Sequence, residues 1–155
     1  MSTTYISAEL RRLVIARANK LCEYCLLHED DTYFGCEIDH IISEKHGGPT
    51  EADNLAYACM TCNRSKGSDI GSVVMPIDSG VFSRFFNPRH DFWSEHFALN
   101  DSDGITIVPL DNIGEVTARI LEFNSAERLL ERQALRDIGR YPTAEALQRI
   151  GELRP

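Results

Sequence analysis

No stretch of the sequence approaches the ~18 consecutive apolar residues that a membrane-crossing helix needs. The N-terminus also lacks the charged-then-apolar pattern of a secretory signal. Both absences argue against a membrane partner, and a cytoplasmic location is the expectation. A basic excess is missing too: 16 Lys and Arg stand against 24 Asp and Glu, for a net charge of −8. The deficit is spread evenly, with 7 basic against 11 acidic residues over 1–75 and 9 against 13 over 76–155. No half of the chain is therefore a basic arm. There is no internal repeat and no low-complexity segment, so neither a solenoid nor a compositional linker is indicated. Cysteine is sparse at five residues, but four of them form two C-x2-C pairs. In a reducing compartment that spacing favours metal over disulfide.

The 155 residues are enough for one compact domain with a real core, or for a small motif and a supporting half. Ser7 is a plausible cap for a helix running to about Lys20, with Leu10, Leu13, Val14, Arg17, Ala18 and Leu21 at helical spacing. Cys22 to Cys25 predicts a tight knuckle, followed by a polar loop with His28. Tyr33 to Ile42 is rich in aromatic and β-branched residues and predicts a strand, and Asn54 to Met60 predicts a second. Gly47-Gly48-Pro49 marks the turn between them. A short helix is predicted from near Cys62 to Gly67. Val73 to Pro88 reads as irregular linker, and Gly104 to Leu110 as a strand. Three helices are expected after it: Asn112 to about Phe123, one capped by Ser125, and a last one capped by Thr143.

Cys22, Cys25, Cys59 and Cys62 give C-x2-C-x33-C-x2-C, two pairs that can complete one tetrahedral Zn²⁺ site. Four soft thiolates leave no open position, so that zinc would be structural. A redox C-x2-C is the competing reading. Cys36 shares a period-two face with Phe34 and Ile38 and is expected to be a buried thiol. His28 extends the first pair to C-x2-C-x2-H, but a loop histidine is the preferred reading. His90 and His96 flank Trp93 among phenylalanines, which points to core packing over a base-stacking platform.

Between the cysteine pairs lie Glu37-Ile-Asp39-His40-Ile-Ile and Asp53-Asn54-Leu, and the second pair opens Cys59-Met-Thr-Cys62-Asn63-Arg-Ser-Lys66-Gly. This order resembles the HNH endonuclease family, the ββα-metal nucleases, over roughly the first 70 residues. The resemblance implies an α+β fold: a zinc-braced ββα-metal module over 1–72 and a mixed, mostly helical C-terminal extension over 73–155. Small stand-alone bacterial members carry a similar tail, with Asn87-Pro88-Arg89 and Trp93-Ser-Glu-His96-Phe, to which the resemblance assigns no chemistry.

The implied activity is metal-dependent hydrolysis of DNA phosphodiester bonds. His40 would be the general base, a task suited to an imidazole at neutral pH. Asp39 and Asn63 would hold a catalytic Mg²⁺ or Mn²⁺ through hard oxygen donors. Many members have histidine at the Asn63 position. Asn54 would bond backbone across the loop and hold the segment carrying His40. Lys66, Arg64 and Lys45 are candidates for contact with DNA phosphates, against the alternative of solvated basic side chains. The acidity of the chain then implies weak, salt-sensitive DNA binding or a protein partner that delivers the substrate. The rival reading is a non-catalytic zinc module that binds nucleic acid or a protein partner in a defence or phage-packaging complex.

Overall fold

The computed structural model describes residues 4–155, and its fold is α+β, built from short helices and three small antiparallel hairpins. Helix α1 (Ala8–Arg17) starts at Ser7, whose hydroxyl accepts the Leu10 N–H. It ends one turn earlier than the sequence suggests, because Asn19 and Lys20 take positive φ and turn the chain back. Its buried stripe is also shifted. Val14 and Ala18 are fully buried and Leu10 and Ile15 pack beside them, whereas Leu13 is 49% exposed.

The central unit is β1 (Cys36–His40), β2 (Leu55–Cys59) and α2 (Met60–Lys66). The strands pair antiparallel with Cys36 opposite Cys59 and His40 opposite Leu55. Strand β1 is shorter than the predicted Tyr33–Ile42. Gly35 at φ +71° breaks the extended run ahead of it, and Tyr33 and Phe34 pack on each other in solvent. Strand β2 is buried on both faces: Leu55 and Tyr57 meet α1, while Ala56 and Ala58 join the larger core.

The segment after α2 is not an irregular linker. Strands β3 (Gly71–Val73) and β4 (Phe82–Arg84) form a hairpin. Helix α3 (Trp93–His96), the hairpin of β5 (Phe97–Leu99) with β6 (Ile107–Pro109), α4 (Asn112–Ile120), α5 (Ala126–Asp137) and α6 (Ala144–Gly151) complete the chain. One buried cluster crosses the 72/73 boundary: Tyr24, Leu26 and Cys62 pack with Trp93, Phe97 and Phe123. Burial of this kind is the main favourable term in folding, so the two halves share their stabilisation.

Candidate functional site

Two local motifs bring the four cysteines together. The first is the knuckle, where the Cys22 N–H donates to Leu27 O and the Leu26 N–H returns to Cys22 O, both at 2.8 Å. The second is the start of α2, with Cys59 at the N-cap and Cys62 one turn in, where the helix dipole favours thiolate. The four sulfurs all lie within 4.8 Å of one another, and every one of these cysteines is buried. Cys25 Sγ and Cys59 Sγ are 3.8 Å apart. Four sulfurs at ~2.3 Å from a tetrahedral Zn²⁺ stand about 3.8 Å from each other, so the cluster fits zinc. Burial raises the Cys22 and Cys62 thiols. It acts on Cys25 in the same direction, but hydrogen bonds from the other thiols and the Arg128 charge carry that thiol well below its ordinary range.

The C-terminal half packs directly against this cysteine cluster. Trp93 Nε1 donates to Tyr24 O at 2.9 Å, within the knuckle. Arg89 pairs with the buried Glu23, whose other oxygen accepts the Tyr57 N–H at 2.9 Å. Arg128 on α5 donates to Cys25 Sγ at 2.9 Å and to Cys59 Sγ at 3.6 Å. His28 is turned away from the thiols, and its Nδ1 accepts the Asp30 N–H. His96 is buried against Phe86, with Nδ1 2.7 Å from Asp111 Oδ2. Trp93 and His96 are thus core residues and not a base-stacking platform. Cys36 is half-buried between the two clusters, and burial raises its thiol.

His40 lies at the end of β1 with its ring nearly buried, and Nε2 is 2.8 Å from Thr50 Oγ1. Thr50 comes from the loop between the strands, and Asn54 closes that loop. Its amide donates to Ile42 O and Pro49 O, and its oxygen accepts the Ile42 N–H, each at 2.9 Å. The closure leaves no room for a side chain at position 48. A Cβ on Gly48 would stand 1.8 Å from Ile42 O and 2.7 Å from Asn54 Nδ2.

Asp39 is buried on β1, with Oδ2 accepting Tyr24 OH at 3.0 Å and lying 3.1 Å from Lys66 Nζ. Burial raises its carboxyl, and Lys66 and Tyr24 act against that rise. Lys66 also donates to His40 O at 2.9 Å and is only 1% exposed. The expectation of a Lys66–phosphate contact is therefore corrected: the ammonium points into the protein, where Asp39 and a main-chain carbonyl hold it. Asn63 lies inside α2, and its amide donates to Glu37 Oε2 at 3.2 Å.

Asp39, His40 and Asn63 line one groove of about 950 Å³, with Glu37 on the same wall and the exposed Lys45 and Arg64 beside them. Its carboxylate and amide oxygens are hard donors of the kind that suit Mg²⁺ or Mn²⁺. Asp39 already shares its charge with Lys66. Sequence reasoning missed Thr50, Tyr24, Arg89 and Arg128 as parts of the site. Only Arg89 carried a signal, as part of the Asn-Pro-Arg segment.

No helix is long and apolar enough to cross a membrane among the described residues. Residues 22–69 match the family model described as HNH endonuclease, the same family that the sequence motifs resemble. At that level the match supports a metal-binding nuclease. No curated protein and no solved structure matches the chain.

Proposed function

We propose that this chain hydrolyses DNA phosphodiester bonds in the groove beside β1 and α2, with His40 as the general base. The observation that carries the reading is the support of the imidazole. Thr50 engages Nε2, and Asn54 pins the loop that carries Thr50. With Nε2–H donating to the Thr50 hydroxyl, Nδ1 is the nitrogen that takes a proton from water. The oxygen of that water forms a bond to phosphorus, the bond from phosphorus to the 3′ oxygen breaks, and the leaving oxygen takes a proton from solvent to depart as a hydroxyl. The products are a 3′-hydroxyl and a 5′-phosphate.

Asp39 and Asn63 would hold a divalent ion, Mg²⁺ or Mn²⁺, whose chemistry is Lewis-acid stabilisation of charge on the phosphorane and the leaving oxygen. Arg64 and Lys45, both exposed at the groove, position the backbone without reading sequence. With a net charge of −8 the protein binds DNA weakly, and a partner can deliver the substrate. Unpaired cysteines and a thiolate zinc site suit a reducing compartment such as the cytoplasm.

A second reading draws on the Lys66–Asp39 pair: a carboxylate already neutralised by an ammonium needs no second cation. The chain would then be a zinc module that binds nucleic acid or a protein without cutting. Incubation of supercoiled plasmid with the protein in Mg²⁺ or Mn²⁺ separates the two. Nicking that disappears in His40→Ala while zinc content is retained supports the enzyme. Binding without cleavage in every divalent ion supports the module.

A further inference from the structure

We infer that Arg128 is the counter-charge of the four-thiolate metal site, so that helix α5 completes a centre the N-terminal half cannot close by itself. The inference rests on the zinc reading of the cysteines. Four thiolates around Zn²⁺ leave a net charge of −2, and here all four are buried. A buried charge is tolerated when it is paired and hydrogen-bonded. Arg128 supplies both conditions. Its guanidinium places one nitrogen 2.9 Å from Cys25 Sγ and the other 3.6 Å from Cys59 Sγ. It thereby touches one sulfur from each C-x2-C pair and bridges the knuckle to the start of α2.

The argument also runs from the arginine. Its side chain is 5% exposed, and the carboxylate nearest it is that of Glu131, which is 33% exposed and 3.5 Å from Nε. Beside four neutral thiols the guanidinium would be a poorly compensated buried cation. Beside a metal-bound thiolate set it is matched. The neighbouring arginine does not compete for this task, because Arg132 donates to Ile105 O and Phe123 O. Ser125 caps α5 by accepting the Arg128 N–H, which fixes the backbone from which the guanidinium reaches the sulfurs. A forked, planar cation can meet two sulfurs at once, whereas a lysine offers a single point charge.

The test uses the full-length zinc-loaded protein and its R128M, R128Q and R128K variants. Zinc affinity is read by competition with a chromophoric chelator, and zinc release by the rate of chelator colour under native conditions. Removal of groups that support metal ligands costs 10–100-fold in metal affinity. R128M and R128Q should lose zinc affinity by about that range, and R128K, which keeps the charge, should fall between them and the parent. If R128M does not fold, the order of R128K and R128Q decides. An R128Q protein that holds zinc as tightly as R128K, or an R128M protein within twofold of the parent, overturns the inference. A parent that neither carries nor takes up zinc sinks the zinc reading instead, which keeps the two failures apart.

Discussion

Lys66 Nζ stands 3.1 Å from Asp39 Oδ2, with both side chains buried and the Tyr24 hydroxyl donating to that same oxygen at 3.0 Å. The same ammonium donates to His40 O. It therefore ties the proposed metal-binding carboxylate to the backbone of the proposed base. Removal of one partner of a buried pair leaves the other uncompensated. Lys66→Met is expected to lower stability by about 3 kcal/mol at pH 7, measured by urea denaturation.

The sign of the pH effect follows from the direction of the Asp39 shift. Its carboxyl is already raised by burial, against the opposing pull of Lys66. Loss of the lysine raises it further, so the folded state binds a proton more tightly than the unfolded one. The penalty of Lys66→Met is then largest at neutral pH and shrinks as pH falls through that raised value. A phosphate-binding lysine would instead change DNA affinity and leave stability unchanged.

Thr50 should matter to turnover more than to folding. Thr50→Val removes the hydroxyl at Nε2 of His40 and keeps the shape of the side chain. One lost hydrogen bond of ~1 kcal/mol corresponds to a rate about fivefold to tenfold lower, provided the ring must be held. Thr50→Ser should restore much of it. Plasmid nicking by the three proteins under one metal condition checks the order.

Asn54 makes three hydrogen bonds to main chain at two points of its loop. Asn54→Ala leaves the Ile42 N–H and two carbonyls without that partner, and about 2–4 kcal/mol of stability should be lost. Asn54→Asp keeps the acceptor for Ile42 N–H but gives up both donor contacts, and should lie between. Thermal melts of the zinc-loaded proteins would show it. Equal melting temperatures for all three would remove Asn54 from this role.

Asp103 offers a second pH probe, in the connection between β5 and β6. Its carboxylate accepts the Ile105 and Thr106 N–H groups and the Thr106 hydroxyl. These bonds, the Thr106 hydroxyl first, depress its carboxyl to about 2. A depressed acid stabilises the fold above its unfolded value near ~3.9, and that contribution fades as pH drops toward the folded value. An NMR titration should place the Asp103 midpoint near 2. In Asp103→Asn the part of the acid-side stability loss that belongs to this turn should disappear.

The features legible in the sequence are those set by short-range chemistry. Ser7, Ser125 and Thr143 each accept an N–H three residues on, as a capping residue does. The two C-x2-C pairs announce one clustered four-sulfur site because the short spacing within each pair already turns both thiols the same way. What stayed hidden depends on distant chain. Lys66 ends a short helix like any solvated lysine, and only the packing of α2 on β1 turns it inward. Leu13 fits a helical stripe, yet α1 meets β2 through Leu10, Val14, Ile15 and Ala18 and leaves Leu13 in solvent. The β3–β4 hairpin has three-residue strands, too short to show an alternation. Arg128 reaches Cys25 across 103 positions, and no local pattern marks such a contact.

The indole clasp on the knuckle makes the molecule report on itself. Trp93 is the sole tryptophan of the chain, it is almost completely shielded from solvent, and its N–H is bound to the carbonyl of Tyr24 between the first two thiols. Its fluorescence should consequently be blue-shifted while the metal is in place. When the ion is stripped and the knuckle loosens, the emission should move to the red.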